Sequence, residues 1–70
     1  MRYDREITFL LAEGLKGPAK RIAAAELVCL LIHHQPTTEA LDELDATIAK
    51  DADAEALTAF RELRQAIGLQ

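Results

Sequence analysis

Cys29, His33 and His34 are the residues whose types and spacing could hold a metal, because a thiolate and an imidazole four positions apart share one face of a helix. Two such ligands on one face fall short of the three or four that a zinc site needs, unless a second copy of the chain repeats them across a two-fold axis. The expected roles are simpler. Cys29 sits in an apolar run and behaves as a small hydrophobe, and the histidines lie at a helix C-terminal end, where the dipole favours them. Lone thiol usage also fits a reducing cytoplasm. Carboxylates are plentiful but recur at helical spacing on polar faces, with no Ser/His/Asp set beside them, so no general acid/base pair or nucleophile is expected. Gly14-Leu15-Lys16-Gly17-Pro18 lacks the glycine spacing of a phosphate loop, and its proline removes a donor N–H. Catalytic residues, cofactor and metal are each expected to be none, and no small-molecule substrate is expected.

The elements that would position these residues are helices. The chain has 70 residues, 13 of them alanine and three aromatic (Tyr3, Phe9, Phe60), and β-branched residues are scattered without alternation. That composition predicts an all-α single domain, 1–70, built as a compact bundle of about four short helices. No apolar run approaches the 18 or more residues of a membrane span; the longest, Leu27 to Ile32, has six. The charge-alternating start Met1-Arg2-Tyr3-Asp4-Arg5-Glu6 does not read as an export signal, so the expected location is the cytoplasm, or a host cytoplasm for a phage-encoded protein.

Ile7, Leu10, Leu11 and Leu15 mark the apolar face of a first helix from about Asp4 to Glu13, with Gly14 and Gly17 breaking it. Pro18 opens the second, whose fixed φ suits a first turn. Between Ala19 and His34, Ile22, Ala25, Cys29 and Ile32 make one stripe; Ala24, Leu27, Val28 and Leu31 make another. A helix apolar on nearly all sides is either central to the fold or shared with a second chain, and both are expected here: a homodimer through Leu27, Val28, Leu31 and Ile32. Pro36 ends this helix, a threonine of Thr37-Thr38 caps the third, and Glu39 stands in its first turn. Leu41, Leu44 and Ile48 face inward, and Asp42, Glu43 and Asp45 outward. An aspartate, Asp51 or Asp53, caps the fourth helix, whose face is Ala56, Phe60, Leu63 and Ile67; Gly68 stops it.

From Ala24 onward, the order of an apolar helix, a Pro-Thr-Thr-Glu start, a short helix with Leu41 and Leu44, a turn, and Ala59-Phe60-Arg61-Glu62-Leu63-Arg64 running to Gly68-Leu69 resembles the helix-turn-helix core of winged-helix regulators. It covers about two thirds of the chain and stops at Gln70, where the wing of such proteins would begin. The resemblance implies DNA reading by the last helix, through Thr58, Arg61, Arg64 and Gln65.

Charge points elsewhere. Residues 39–55 carry Glu39, Asp42, Glu43, Asp45, Asp51, Asp53 and Glu55 against Lys50 alone, on a chain of net charge −4, where a DNA-binding face needs cations for phosphate. Residues 1–21 are mildly basic, so the molecule is polarised. In size, class and charge the chain is similar to small phage-encoded anti-activators and inhibitors, which implies a protein partner. The expected function is a non-catalytic regulator that binds and inhibits or modulates another protein, such as a transcription regulator, with Tyr3, Phe9 and Leu10 as docking anchors. The alternatives are a helix-turn-helix DNA-binding regulator and a structural or assembly subunit.

Overall fold

The computed structural model describes residues 2–33, 36–51 and 53–68. Four helices follow in chain order: α1 (Asp4–Gly14), α2 (Pro18–His33), α3 (Thr38–Lys50) and α4 (Ala54–Ala66), and among the described residues there is no strand. The expected position of His34 in α2 lies outside the described residues.

Local chemistry explains the helix ends. Thr37 caps α3, its Oγ1 accepting from the Ala40 N–H at 3.1 Å, and Asp53 caps α4, its Oδ1 accepting from the Ala56 N–H at 3.0 Å. Glu39 and Glu55 stand in the two first turns, where the dipole favours acids. Gly68 terminates α4 with a φ of +75°, a left-handed conformation that glycine adopts without steric penalty.

Packing places the helices in the spatial order α1, α2, α4, α3. The α2 helix lies between α1 and α4, and α4 in turn carries α3 on its other side. The core joins Leu10 of α1, Ala23, Ala24, Leu27 and Leu31 of α2, Leu41 and Ile48 of α3, and Ala56, Ala59, Phe60 and Leu63 of α4. Phe60, Leu10, Leu27 and Leu41 are its largest fully buried members. The inward faces expected for α3 and α4 are those observed, with Leu44 and Ile67 partly buried at their edges.

The face expected for α1 is corrected. Leu10 is buried and Ile7 and Tyr3 pack against the core, but Leu11 and Leu15 point to solvent. The reason is Gly14, which is the last residue of α1 and is itself buried rather than a breaker. A Cβ there would sit 3.5 Å from the Ala24 Cβ and 3.7 Å from the Arg21 Cα, so α1 approaches α2 along its Leu10–Gly14 side, and Leu11 and Leu15 are turned away. The helix ends one residue later, at Leu15, in ordinary right-handed conformation.

Candidate interaction surface

Two opposite sides of α2 have opposite fates. Leu27 is fully buried between α1 and α4, and Leu31 is buried beside it. Ile22, Ala25, Cys29 and Ile32 fall directly opposite Leu27 at 100° per residue, and all four are exposed. The residues expected to form a dimer contact therefore divide: Leu27 and Leu31 belong to the subunit's own core, Val28 is partly buried, and Ile32 faces solvent. Gly14 of α1 lies at van der Waals reach of Ala24, so the side of α2 with Ala24 and Leu27 turns inward and the side with Ala25 and Cys29 stays outside.

Five large hydrophobic side chains are exposed among the described residues: Leu11 at 60%, Leu15 at 84%, Ile22 at 45%, Ile32 at 51% and Phe9 at 39%. Leu11, Leu15 and Ile32 line one groove of about 510 Å³ between α1 and α2, floored by Ala24, Ala25 and Val28, and Ile22 lies on the same outward side of α2. Among the described residues, Arg21 is the only lining residue with a permanent charge and no carboxylate lines the groove. Soluble proteins seldom leave apolar patches beyond a few hundred Å² uncovered, which makes this face the candidate site. Cys29, also exposed, stands within it.

Of the anchors expected on α1, Tyr3 is partly buried, with the Arg2 guanidinium 5.8 Å from its ring centroid, and Phe9 is exposed on the side of α1 away from the groove. Leu10 is fully buried, so it cannot anchor a partner.

Two carboxylates of the acidic stretch are paired at the surface with arginines of α4. Arg61 of α4 holds Asp45 of α3 through two hydrogen bonds, and Arg64 donates to Asp42 at 2.9 Å. Asp45 is thus half-buried rather than solvent-facing as expected, and the Arg61 guanidinium holds its carboxyl below the ordinary value. Thr58 and Gln65 are exposed on α4, but the two arginines beside them already serve α3 carboxylates. At the basic end, Glu13 accepts from Lys16 and, at 3.0 Å, from Lys20, which lowers its pKa and ties α1 to α2.

Among the described residues no three His, Cys, Asp or Glu side chains cluster at metal-binding distance. His34, the third potential ligand beside Cys29 and His33, lies outside the described residues. No described helix is long and apolar enough to cross a membrane. No protein-family model, curated protein or solved structure matches the chain.

Sequence reasoning missed Leu11, Leu15, Ile22, Ala25 and Cys29 as surface residues. Residue size gave no signal: the exposed stripe carries Ala25 and Cys29, and the buried side carries Ala23 and Ala24.

Proposed function

We propose that this protein is a non-catalytic regulator that acts by holding another polypeptide against the α1/α2 apolar face. One observation carries the reading: Leu11, Leu15 and Ile32 lie exposed along a groove with no carboxylate among its described lining residues, and Ile22 is exposed beside them on α2. Branched aliphatic side chains in such a groove suit an apolar helix face, which they desolvate without needing hydrogen-bond partners. Removing them from water supplies the affinity, and the polar residues around the groove supply only orientation. DNA reading by α4 is disfavoured on electrostatic grounds. Arg61 and Arg64 would have to leave Asp45 and Asp42, and those carboxylates would then face phosphate.

A photoreactive benzophenone side chain at Leu15, compared with the same group at Glu62, tests this in cells. Polypeptide adducts at position 15 and none at position 62 are expected, since both sites are exposed and only the first lies on the groove. Equal adducts at both positions, or none at 15, would remove the reading. Retardation of duplex DNA by micromolar protein at low salt would replace it with the DNA-reading alternative.

A further inference from the structure

We infer that the α1/α2 face is a two-fold interface between two copies of this chain, in which each α2 crosses the other antiparallel about the level of Leu27. This rests on the docking reading above: the face proposed to hold another polypeptide is the one that two copies cover when no other polypeptide is bound. The outward stripe of α2 is palindromic in position and in size. Ile22 and Ile32 stand five residues either side of Leu27, and Ala25 and Cys29 stand two residues either side. A two-fold axis at that level brings Ile22 against the partner's Ile32 and Ala25 against the partner's Cys29, and repeats both pairs on the other side of the axis. Small residues at the centre let the helix axes approach to the short end of the usual ~8–10 Å range, and the isoleucines fill the diverging ends. The mirror in position is what helical 3-4-3 spacing gives to any such stripe; the match in size is what suits two copies, with isoleucine meeting isoleucine at the ends and small residues at the crossing.

Charge agrees with the same occupant. In this register Arg21 reaches the last turn of the partner's α2, whose carbonyls carry the negative end of the helix dipole. Half of the carboxylates that would make two copies of a −4 chain repel lie on α3 and the turn after it, and the main packing of α3 is on α4, outside the α1/α2 face. Glu26 flanks the stripe without entering it. Leu11 and Leu15 of each copy close the groove side of the seam.

The area is sufficient. Four large side chains exposed to this degree, with Ala25, Val28 and Cys29 among them, present an apolar patch on the order of 600 Å². Two such patches pressed together reach roughly 1,200 Å², where specific interfaces begin. A 70-residue chain with one cysteine, and hence no internal disulfide, gains from this the added core that folds of its size commonly draw from association.

Sedimentation equilibrium on the purified full chain provides the test. Wild-type protein is expected at twice its 7.7 kDa chain mass at tens of micromolar. Ala25 is exposed, so Ala25→Glu keeps its helical circular dichroism while weakening self-association by about tenfold or more, because it places an unpaired carboxylate in the seam. The register has its own readout. Ala25→Cys oxidised with diamide is expected to form a covalent dimer through the partner's Cys29. Wild type should do so far less readily, since its two Cys29 residues are offset by four positions, about 6 Å along the axis, whereas the introduced Cys lies level with the partner's Cys29. A monomeric wild type at several hundred micromolar overturns the inference. So does a wild type that cross-links through Cys29 as readily as the Ala25→Cys variant. A monomer that still gives Leu15 adducts with a different polypeptide leaves the docking function standing and removes only the second copy as its occupant.

Discussion

Arg61 on α4 grips Asp45 on α3 in a bidentate pair, with Nε donating to Oδ2 at 2.8 Å and Nη2 to Oδ1 at 3.0 Å. The planar guanidinium matches the carboxylate, so the contact joins the charges of the two helices in a fixed geometry beside their buried packing. Asp45→Asn keeps the shape and removes the charge. The hydrogen bond from Arg61, followed by its positive charge, holds the folded carboxyl below the ordinary aspartate value of 3.8. A depressed carboxyl contributes stability that is complete above the unfolded-state value and fades as pH falls through the folded one. Urea denaturation should therefore find wild type more stable than Asp45→Asn at pH 7, with the gap narrowing once pH drops below 3.8. A gap that is constant with pH would show that the charge contributes nothing.

Gly14 offers a second measurement. Its backbone is helical and a Cβ would meet Ala24 at ordinary van der Waals distance, so Gly14→Ala should stabilise the protein by about 0.4–1 kcal/mol through the lost freedom of the unfolded chain. Gly14→Leu should destabilise it by about 1–3 kcal/mol, because the longer side chain pushes α1 off α2. Thermal denaturation at one fixed protein concentration reads both, since self-association would make the midpoint concentration-dependent. A destabilising alanine would mean that the glycine acts as a helix stop.

Leu10 and Phe9 are neighbours with reversed roles. Leu10→Ala should cost about 2–5 kcal/mol, as emptying a fully buried leucine site does. Phe9→Ala should cost less than about 1 kcal/mol, since its ring is exposed and outside the core cluster. Guanidinium titrations of the two variants would reject this assignment if Phe9→Ala proved the more harmful.

The two capped helices give a matched pair. Thr37→Ala and Asp53→Ala each remove one side-chain acceptor from a helix start and should each cost about 1 kcal/mol. Hydrogen exchange should show the loss at the Ala40 and Ala56 amides first, those being the donors left without a partner. Unchanged protection at both amides would argue that the caps are ornamental.

Helix number and helix ends were readable in the residues because their causes are local. Pro18, Thr37, Asp53 and Gly68 act on the backbone within a turn of themselves, so no knowledge of packing is needed to see what they do. The faces of α3 and α4 were readable for a related reason: each has a single apolar stripe, and one stripe can be buried only one way. The surface candidates were not. On α1, Ile7, Leu10, Leu11 and Leu15 spread over an arc too wide for one groove, and α2 is apolar nearly all round.

By itself the chain determined four helices, their boundaries, its acidic balance and which faces of α3 and α4 turn inward, all of which follow from spacing and capping within a few residues. Tertiary structure decided which side of α2 the core would claim, and it did so through the close approach that Gly14 and Ala24 permit. It also decided that Arg61 and Arg64 would pair with Asp45 and Asp42 of α3. Both outcomes depend on residues 10 to 22 positions apart in the chain meeting across a helix interface, and periodicity within one helix carries no record of its neighbour's rotation.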